Sequence, residues 1–156
     1  MITGLKYLEN ERYEFIKRSK KLSGHTIPIK DVMEDVVKKK KINSDSIIWL
    51  IYIPLIPKSK KLFEKTKKII ERKNVKSACG FTKVKTHPFL SWYTKKNKLY
   101  QYCKNNIYRR QDLPIALTHN HVVCAFKCNE LKKLNNELIN PKTIPILINS
   151  EIREID

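Results

Sequence analysis

The feature that most constrains the fold is a continuous apolar run over residues 46–53, in which four of the eight residues are isoleucine. A run without polar alternation is typical of a strand buried on both faces, as at the centre of a parallel sheet. Pro54 and Pro57 end the run, because proline does not continue a central strand. The sequence therefore predicts an internal strand over residues 47–53.

A helix and a second strand follow this run. Ser59 can cap a helix that reaches about Lys73 and sets an apolar stripe against a lysine-rich face. A β-rich segment then covers residues 75–81. A strand–helix–strand unit places its two strands parallel, with a right-handed crossover. The pattern thus predicts an α/β fold with a mostly parallel sheet.

Shorter patterns predict the other elements. They are a helix over residues 8–17, a helix over residues 30–40, a short edge strand or hairpin arm over residues 98–102, a strand over residues 121–128, a helix over residues 129–138 and a strand over residues 144–148.

Length and hydropathy place the chain among folded proteins without a membrane span. A chain of 156 residues with 41% hydrophobic residues has room for one domain with one core. No apolar run reaches the length of a membrane span, and residues 1–6 lack the pattern of a signal peptide. We therefore expect a cytoplasmic protein.

The formal net charge of +18 predicts affinity for polyanions. Lysines are scattered through every segment, and no helix-turn-helix, zinc-finger or RNP-type motif is present. We therefore expect nucleic-acid binding that is non-specific and strongly salt-dependent.

The cysteines do not form a metal-binding motif in the sequence. They are Cys79, Cys103, Cys124 and Cys128. None belongs to a Cys-x-x-Cys pair, and zinc would need partners such as His119 or His121 brought close by the fold. The favoured interpretation is free thiols that are buried or half-buried.

The candidate binding segment is the arginine loop, defined as residues 108–114. It contains Arg109, Arg110, Gln111 and Asp112 and precedes an apolar, β-branched run. The arginine fork suits bidentate contact with carboxylate or phosphate, and such loops carry ligand contacts in α/β proteins. The alternative is a solvated loop whose charges pair with one another.

Residues 110–114, followed by Ala116 and Asn120, resemble a loop of the acylneuraminate cytidylyltransferases, which make CMP-sialic acid and related CMP-sugars. In that family an Arg-Gln-Asp-Leu-Pro segment precedes an Asn-Gly-Ala-Ile-Tyr strand. Asn120 matches this pattern, whereas His121 and Cys124 replace the glycine and the tyrosine.

Further matches occur in the family's order along the chain. They are a Leu-Ser-Gly-x-Thr-x-Pro segment at residues 22–28, two prolines at residues 54 and 57, a His-Pro-aromatic segment at residues 87–89 and Glu-Ile-Asp at residues 154–156. The family has Gln before the first proline and Thr-Ser between the two prolines. This chain has the aliphatic residues Ile53, Leu55 and Ile56 at these positions.

The resemblance implies a three-layer, Rossmann-like fold of the nucleotide-diphospho-sugar transferase type in one domain over residues 1–156. That domain would be incomplete at its N-terminus, because the three glycines form no phosphate-binding cluster. The implied substrates are CTP and an acidic nine-carbon sugar, and a homodimer is left open. The implied site residues are Arg110 as the catalytic residue, Arg109, Gln111, Asp112, Asn120 and His87 as substrate-binding residues, and Glu154 and Asp156 as ligands of Mg²⁺.

Three hypotheses follow from these observations. The chain is a truncated or divergent cytidylyltransferase with little or no turnover, a non-catalytic relative that associates with an intact synthetase, or a basic nucleic-acid-binding domain. Under the first hypothesis we expect the arginine loop and the Glu154/Asp156 pair to converge on one cleft at the carboxyl ends of the strands.

Overall fold

The structure is a computed structural model that describes residue 14 and residues 16–52, 54–56, 59–149 and 153–154. Of Ile56, Arg153 and Glu154 it describes the backbone only. The helix expected over residues 8–17 lies mostly outside these residues, and its described positions are not helical. None of the described helices is long and apolar enough to cross a bilayer.

The described chain contains two α-helices and eight strands. The strands are β1 (Ile47–Leu50), β2 (Leu55–Ile56), β3 (Ser77–Lys83), β4 (Trp92–Lys95), β5 (Lys98–Gln101), β6 (Leu117–Lys127), β7 (Ile144–Leu147) and β8 (Arg153–Glu154). The helices are α1 (Ile29–Lys40) and α2 (Lys60–Ile70). The two helices and the strands β1, β3, β5, β6 and β7 are confirmed, with ends a few residues from those expected.

Four of the strands form the main sheet, in the order β1-β6-β3-β7. The central strand β6 runs antiparallel to both neighbours, with Phe126 opposite Ile48 of β1 and Ser77 of β3. β3 and β7 are parallel, with Gly80 opposite Ile146. Two separate antiparallel pairs, β2 with β8 and β4 with β5, complete the described strands.

The expected mostly parallel, Rossmann-like sheet is therefore wrong. β1 and β3 do point the same way, but β6 lies between them and runs opposite to both. The crossover rule fixes the relative direction of two strands and does not say what inserts between them. Residues 122–126 of β6 are buried on both faces, with exposures of 0–1%. This run occupies the central position that local patterns assigned to β1 and β3.

The two helices cover opposite faces of the main sheet. The apolar side of α1 packs on the face that carries Cys79 and Cys124. The apolar side of α2 packs on the face that carries Val123, which points away from Cys124 because successive strand residues alternate. Ser59 caps α2 as expected, since its Oγ accepts a hydrogen bond from the backbone N–H of Leu62 at 3.2 Å.

The expected helix over residues 129–138 is wrong, because a 3-10 helix covers only Cys128–Lys133. Leucines at helical spacing in this segment are indeed buried, but the chain that carries them is irregular. Asn135 Oδ1 accepts hydrogen bonds from the backbone N–H groups of Glu137 at 2.9 Å and Ile139 at 3.1 Å. Such side-chain bonds offer the backbone an alternative to a helix.

A bulge interrupts β6 where it pairs with β3. Cys79 lies opposite Cys124, but the next residue of β3, Gly80, lies opposite Asn120, so residues 121–123 are skipped in the register. A Cβ at Gly80 would collide with Asn120 Oδ1, and the bulge therefore requires glycine at this position.

Candidate functional site

The arginine loop lies at the end of the main sheet where β3 ends and β6 begins. Its 3-10 turn, Arg110–Asp112, shortly precedes β6, which runs opposite to β3. The backbone N–H of Val84, just after β3, donates to the carbonyl of Ala116 at 3.2 Å.

The two arginines of the loop have different environments. Arg109 Nε lies 3.5 Å from Asp112 Oδ2. With its amide oxygen turned toward Arg109, the Gln111 side chain accepts from Nε and Nη2, each at 2.8 Å. Across the described part of the chain, no ion pair or side-chain hydrogen bond engages the Arg110 guanidinium. Arg109 is therefore held inside the loop, and Arg110 is free to meet a ligand.

A pocket of about 400 Å³, called the basic pocket, lies between the segment after β3 and the arginine loop. It is lined by residues 83–87, 90, 110 and 113–116. Lys83, Lys85 and Arg110 supply three cationic side chains, and none of these lining residues is acidic. An anion is the ligand class that such a lining attracts.

His87 joins the two walls of the basic pocket. Its Nδ1 accepts from the backbone N–H of Phe89 at 3.2 Å, which leaves the proton on Nε2. That Nε2 donates to the Pro114 carbonyl at 2.9 Å. Both ring nitrogens are occupied, so His87 positions the arginine loop and has no free atom for a substrate.

The other expected site residues are not brought into this pocket. Gln111 and Asp112 face Arg109, and Asn120 lies farther along β6, opposite Gly80. Asn120 Oδ1 accepts from the Val122 N–H at 3.3 Å. Its Nδ2 is buried, and no described group hydrogen-bonds to it.

The expected Mg²⁺ ligands cannot be compared with the arginine loop. Asp156 lies outside the described residues, and Glu154 is described by its backbone alone. That backbone lies in β8, where Glu154 is opposite Leu55 of β2, shortly after the end of β1. The convergence of Glu154 and Asp156 with Arg110 therefore stays a prediction.

A second group of reactive side chains, the Cys/His cluster, comprises Cys79, His119 and His121. The Cys79 Sγ and one ring nitrogen of each histidine lie within 4.8 Å of one another. Cys79 Sγ is 3.2 Å from His119 Nε2, and the two imidazoles meet edge to face with centroids 4.4 Å apart. His119 is opposite Phe81 in the ladder, whereas His121 belongs to the bulge.

Cys79 and Cys124, which face each other in the ladder, have unequal acidities. The Cys124 thiol, opposite Cys79, lowers the Cys79 pKa to about 4, with help from His119 and His121 and against the effect of burial. The same contact and burial raise the Cys124 pKa above its ordinary value. Cys79 Sγ also lies 3.7 Å from the Asn120 carbonyl oxygen, to which a protonated thiol would donate.

Only one ring nitrogen of His121 has a hydrogen-bond partner among the described groups. Its Nε2 lies 3.2 Å from Glu137 Oε2, while its Nδ1 is buried and lacks a hydrogen-bond partner among the described groups. Contact with Cys79 raises the His121 pKa, as does Glu137, and burial opposes them. His121 therefore presents one oriented, unsatisfied nitrogen.

None of the four cysteines forms a disulfide, and Cys79 and Cys124 are buried while Cys103 and Cys128 are half-buried. The sequence indicated His119 and His121 as the partners that zinc would need, but it did not indicate which cysteine they would meet. Two histidines two residues apart on a strand face one side. Their approach to Cys79 depends on the bulged register, which no local pattern indicates.

The sequence matches no protein-family model, and it matches no curated protein. The basic pocket and the Cys/His cluster are therefore the basis for assigning a function.

Proposed function

We propose that this chain binds an acidic sugar through Arg110 in the basic pocket, as a relative of the acylneuraminate cytidylyltransferases. The observation that carries the proposal is an Arg110 guanidinium without a partner in the described chain, in a pocket of about 400 Å³ with Lys83 and Lys85. The matching order of short motifs along the sequence adds support that is independent of this geometry.

The pocket suits a monosaccharide that carries a carboxylate. The guanidinium of Arg110 can donate two parallel hydrogen bonds to that group, and the two lysines raise the local concentration of anions. A volume of about 400 Å³ lies within the range of ordinary small-molecule sites. The brace through His87 would keep the arginine loop in place while the ligand exchanges.

In the implied reaction the sugar hydroxyl attacks the α-phosphate of CTP. A bond forms between the sugar oxygen and that phosphorus, the bond to the bridging oxygen breaks, and pyrophosphate leaves while the hydroxyl proton passes to solvent. Arg110 would offset negative charge near the attacking group. Mg²⁺ on Glu154 and Asp156, which the resemblance implies, would supply further charge neutralisation.

We expect the 156-residue chain alone to turn over poorly or not at all. None of its three glycines belongs to a cluster that could hold the triphosphate, and positioning supplies much of phosphoryl-transfer catalysis. Sugar-acid binding needs only the basic pocket. Binding and turnover are therefore tested separately.

The binding test is calorimetric titration with N-acetylneuraminate of the wild-type chain, Arg110→Ala and Arg72→Ala. Arg72 is exposed just beyond α2, so its loss removes the same charge elsewhere. We expect Arg110→Ala to weaken binding roughly 10- to 100-fold, as for a lost charge-assisted contact, and Arg72→Ala to bind like wild type. Equal affinities in all three proteins, or equal losses in both variants, would contradict the proposal.

The turnover test is pyrophosphate release with Mg²⁺, CTP and N-acetylneuraminate. We expect no release above background. Robust release that Arg110→Ala abolishes would support the family assignment and contradict the expected impairment. Binding without turnover would also fit the non-catalytic relative that associates with an intact synthetase.

A second candidate, single-stranded nucleic-acid binding, is favoured by the β4–β5 hairpin. Its exposed aromatic residues are Trp92, Tyr93, Tyr100 and Tyr102. Lysines at positions 95, 96 and 98 surround its turn, and aromatic platforms beside basic groups bind single strands by stacking. Oligonucleotide binding that falls with salt and with Tyr102→Ala, but not with Arg110→Ala, would favour this candidate.

A further inference from the structure

We propose that Cys79, His119 and His121 bind a zinc ion, with the Glu137 carboxylate supporting His121. This site is independent of the basic pocket and of sugar-acid binding. Cysteine sulfur and imidazole nitrogen are the ligands that zinc selects among protein groups.

The spacing of the donor atoms fits tetrahedral zinc. Zn–S bonds of about 2.3 Å and Zn–N bonds of about 2.0 Å put neighbouring ligand atoms roughly 3.3–3.6 Å apart. Cys79 Sγ and His119 Nε2 are already 3.2 Å apart, and all three donors fall within 4.8 Å of one another. Small side-chain rotations would therefore close the site around an ion.

The buried, unsatisfied nitrogen of His121 is the second observation that points to a ligand. Its Nδ1 lacks a hydrogen bond among the described groups, whereas its Nε2 faces Glu137 Oε2 at 3.2 Å. A histidine that ligates zinc through one nitrogen usually donates from the other to a carboxylate, and this contact fixes the tautomer. Zinc at Nδ1 would satisfy the atom whose burial is otherwise unfavourable.

Cys79 is buried in the ladder opposite Cys124, so its sulfur has a fixed place beside the two imidazoles. Zinc binds the thiolate form of cysteine and displaces its proton. One ionised sulfur and two imidazoles leave a fourth position for water, as in zinc sites that remain open.

A route for the ion exists on the side of His121. This residue lines a cleft of about 640 Å³ together with Tyr52, Glu137 and the loop before α1. The His121 side chain is 20% exposed although its Nδ1 is buried. An ion can therefore enter from the cleft and reach the buried donors.

The test uses zinc alone, added to purified, reduced, metal-free protein and followed by gel filtration and elemental analysis. We expect one zinc per wild-type chain. Cys79→Ser and His119→Asn should lose it, whereas Cys103→Ser, which removes a half-buried thiol outside the cluster, should retain it. Glu137→Gln should weaken zinc about 10- to 100-fold, as for other outer-shell partners. Zinc retained by Cys79→Ser, or lost by Cys103→Ser, would overturn the proposal.

Cobalt substitution of the wild-type protein keeps the proposal testable if a variant fails to fold. We expect intense tetrahedral d–d bands and a thiolate-to-cobalt charge-transfer band. Absence of the charge-transfer band would overturn the assignment of Cys79. A Cys79–Cys124 disulfide that persists in the reduced preparation, shown by thiol counting and mass, would overturn it as well.

Discussion

The basic pocket and the Cys/His cluster adjoin the same two strands, β3 and β6, and their physical character is opposite. The pocket is at the open end, where Lys83 of β3 pairs with Leu117 of β6, and its cationic groups are long and exposed. The cluster lies farther along the strand pair, where Cys79 is buried and opposite Cys124. The two proposed sites thus differ in kind, since one relies on exposed charges and the other on buried donor atoms.

This difference determines how each site should respond to its surroundings. Exposed charges attract ligands through long-range fields that salt screens, and they add little to stability. Buried donors with fixed neighbours resist salt, and a ligand that binds them stabilises the fold directly. The two sites should therefore respond differently to metal, mutation and ionic strength.

The largest expected effect is stabilisation by zinc. Free zinc at 100 times its dissociation constant should add about 2.7 kcal/mol to the free energy of unfolding, by mass action. Urea unfolding with zinc or with chelator measures the difference. We expect Cys79→Ser to unfold at the same urea concentration with zinc and with chelator. Equal stability of the wild type with zinc and with chelator would contradict the proposed zinc site.

The next effect concerns the bulge that forms the cluster. Gly80→Ala should lower the free energy of unfolding by about 1–3 kcal/mol, since its Cβ would collide with Asn120 and lie 3.1 Å from Ile148 Cδ1. Gly24→Ala is the matched control, because its Cβ would lie 3.5 Å from Ile27 Cγ1. If both variants unfold at the same urea concentration as wild type, the close packing at Gly80 is wrong.

Ionic strength should separate the two sites by a smaller amount. Raising the salt concentration should weaken N-acetylneuraminate binding by about 1 kcal/mol, roughly fivefold, because Lys83 and Lys85 act from exposed positions. Zinc affinity should change little. Calorimetry at low and high sodium perchlorate measures both. Equal salt dependence would contradict the distinction between steering and coordination.

The smallest expected effect distinguishes the two arginines. Arg109→Ala should weaken N-acetylneuraminate binding by about 0.5 kcal/mol, roughly twofold, because an exposed ion pair such as that with Asp112 adds little. Arg110→Ala should cost far more. Similar losses in both variants would show that the loop binds as a unit.

The sequence predicted those parts of the fold that local periodicity determines. The four strands of the main sheet, the cap at Ser59 and the direction of β1 relative to β3 follow from such patterns. The insertion of β6 between β1 and β3 is a long-range pairing, which local patterns do not encode. In residues 129–138 the helical spacing of the leucines was misleading. The backbone N–H groups of Glu137 and Ile139 donate to the Asn135 side chain and not to helical carbonyls.

The candidate sites were predictable to different degrees. The resemblance drew attention to the arginine loop and His87, which do line one pocket. It implied different roles for Arg110 and Arg109, but the contacts that hold Arg109 inside the loop depend on side-chain geometry. The Cys/His cluster joins residues 40 positions apart through a shifted register, so only the structure brings it together.

The independence of the two sites is tested most directly by native mass spectrometry with zinc and N-acetylneuraminate present together. Wild type, Arg110→Ala and Cys79→Ser are compared, each first shown to be folded by circular dichroism. We predict both ligands on the wild type, zinc alone on Arg110→Ala and the sugar acid alone on Cys79→Ser. A wild type that binds neither, or a folded variant that loses both ligands together, would contradict the account.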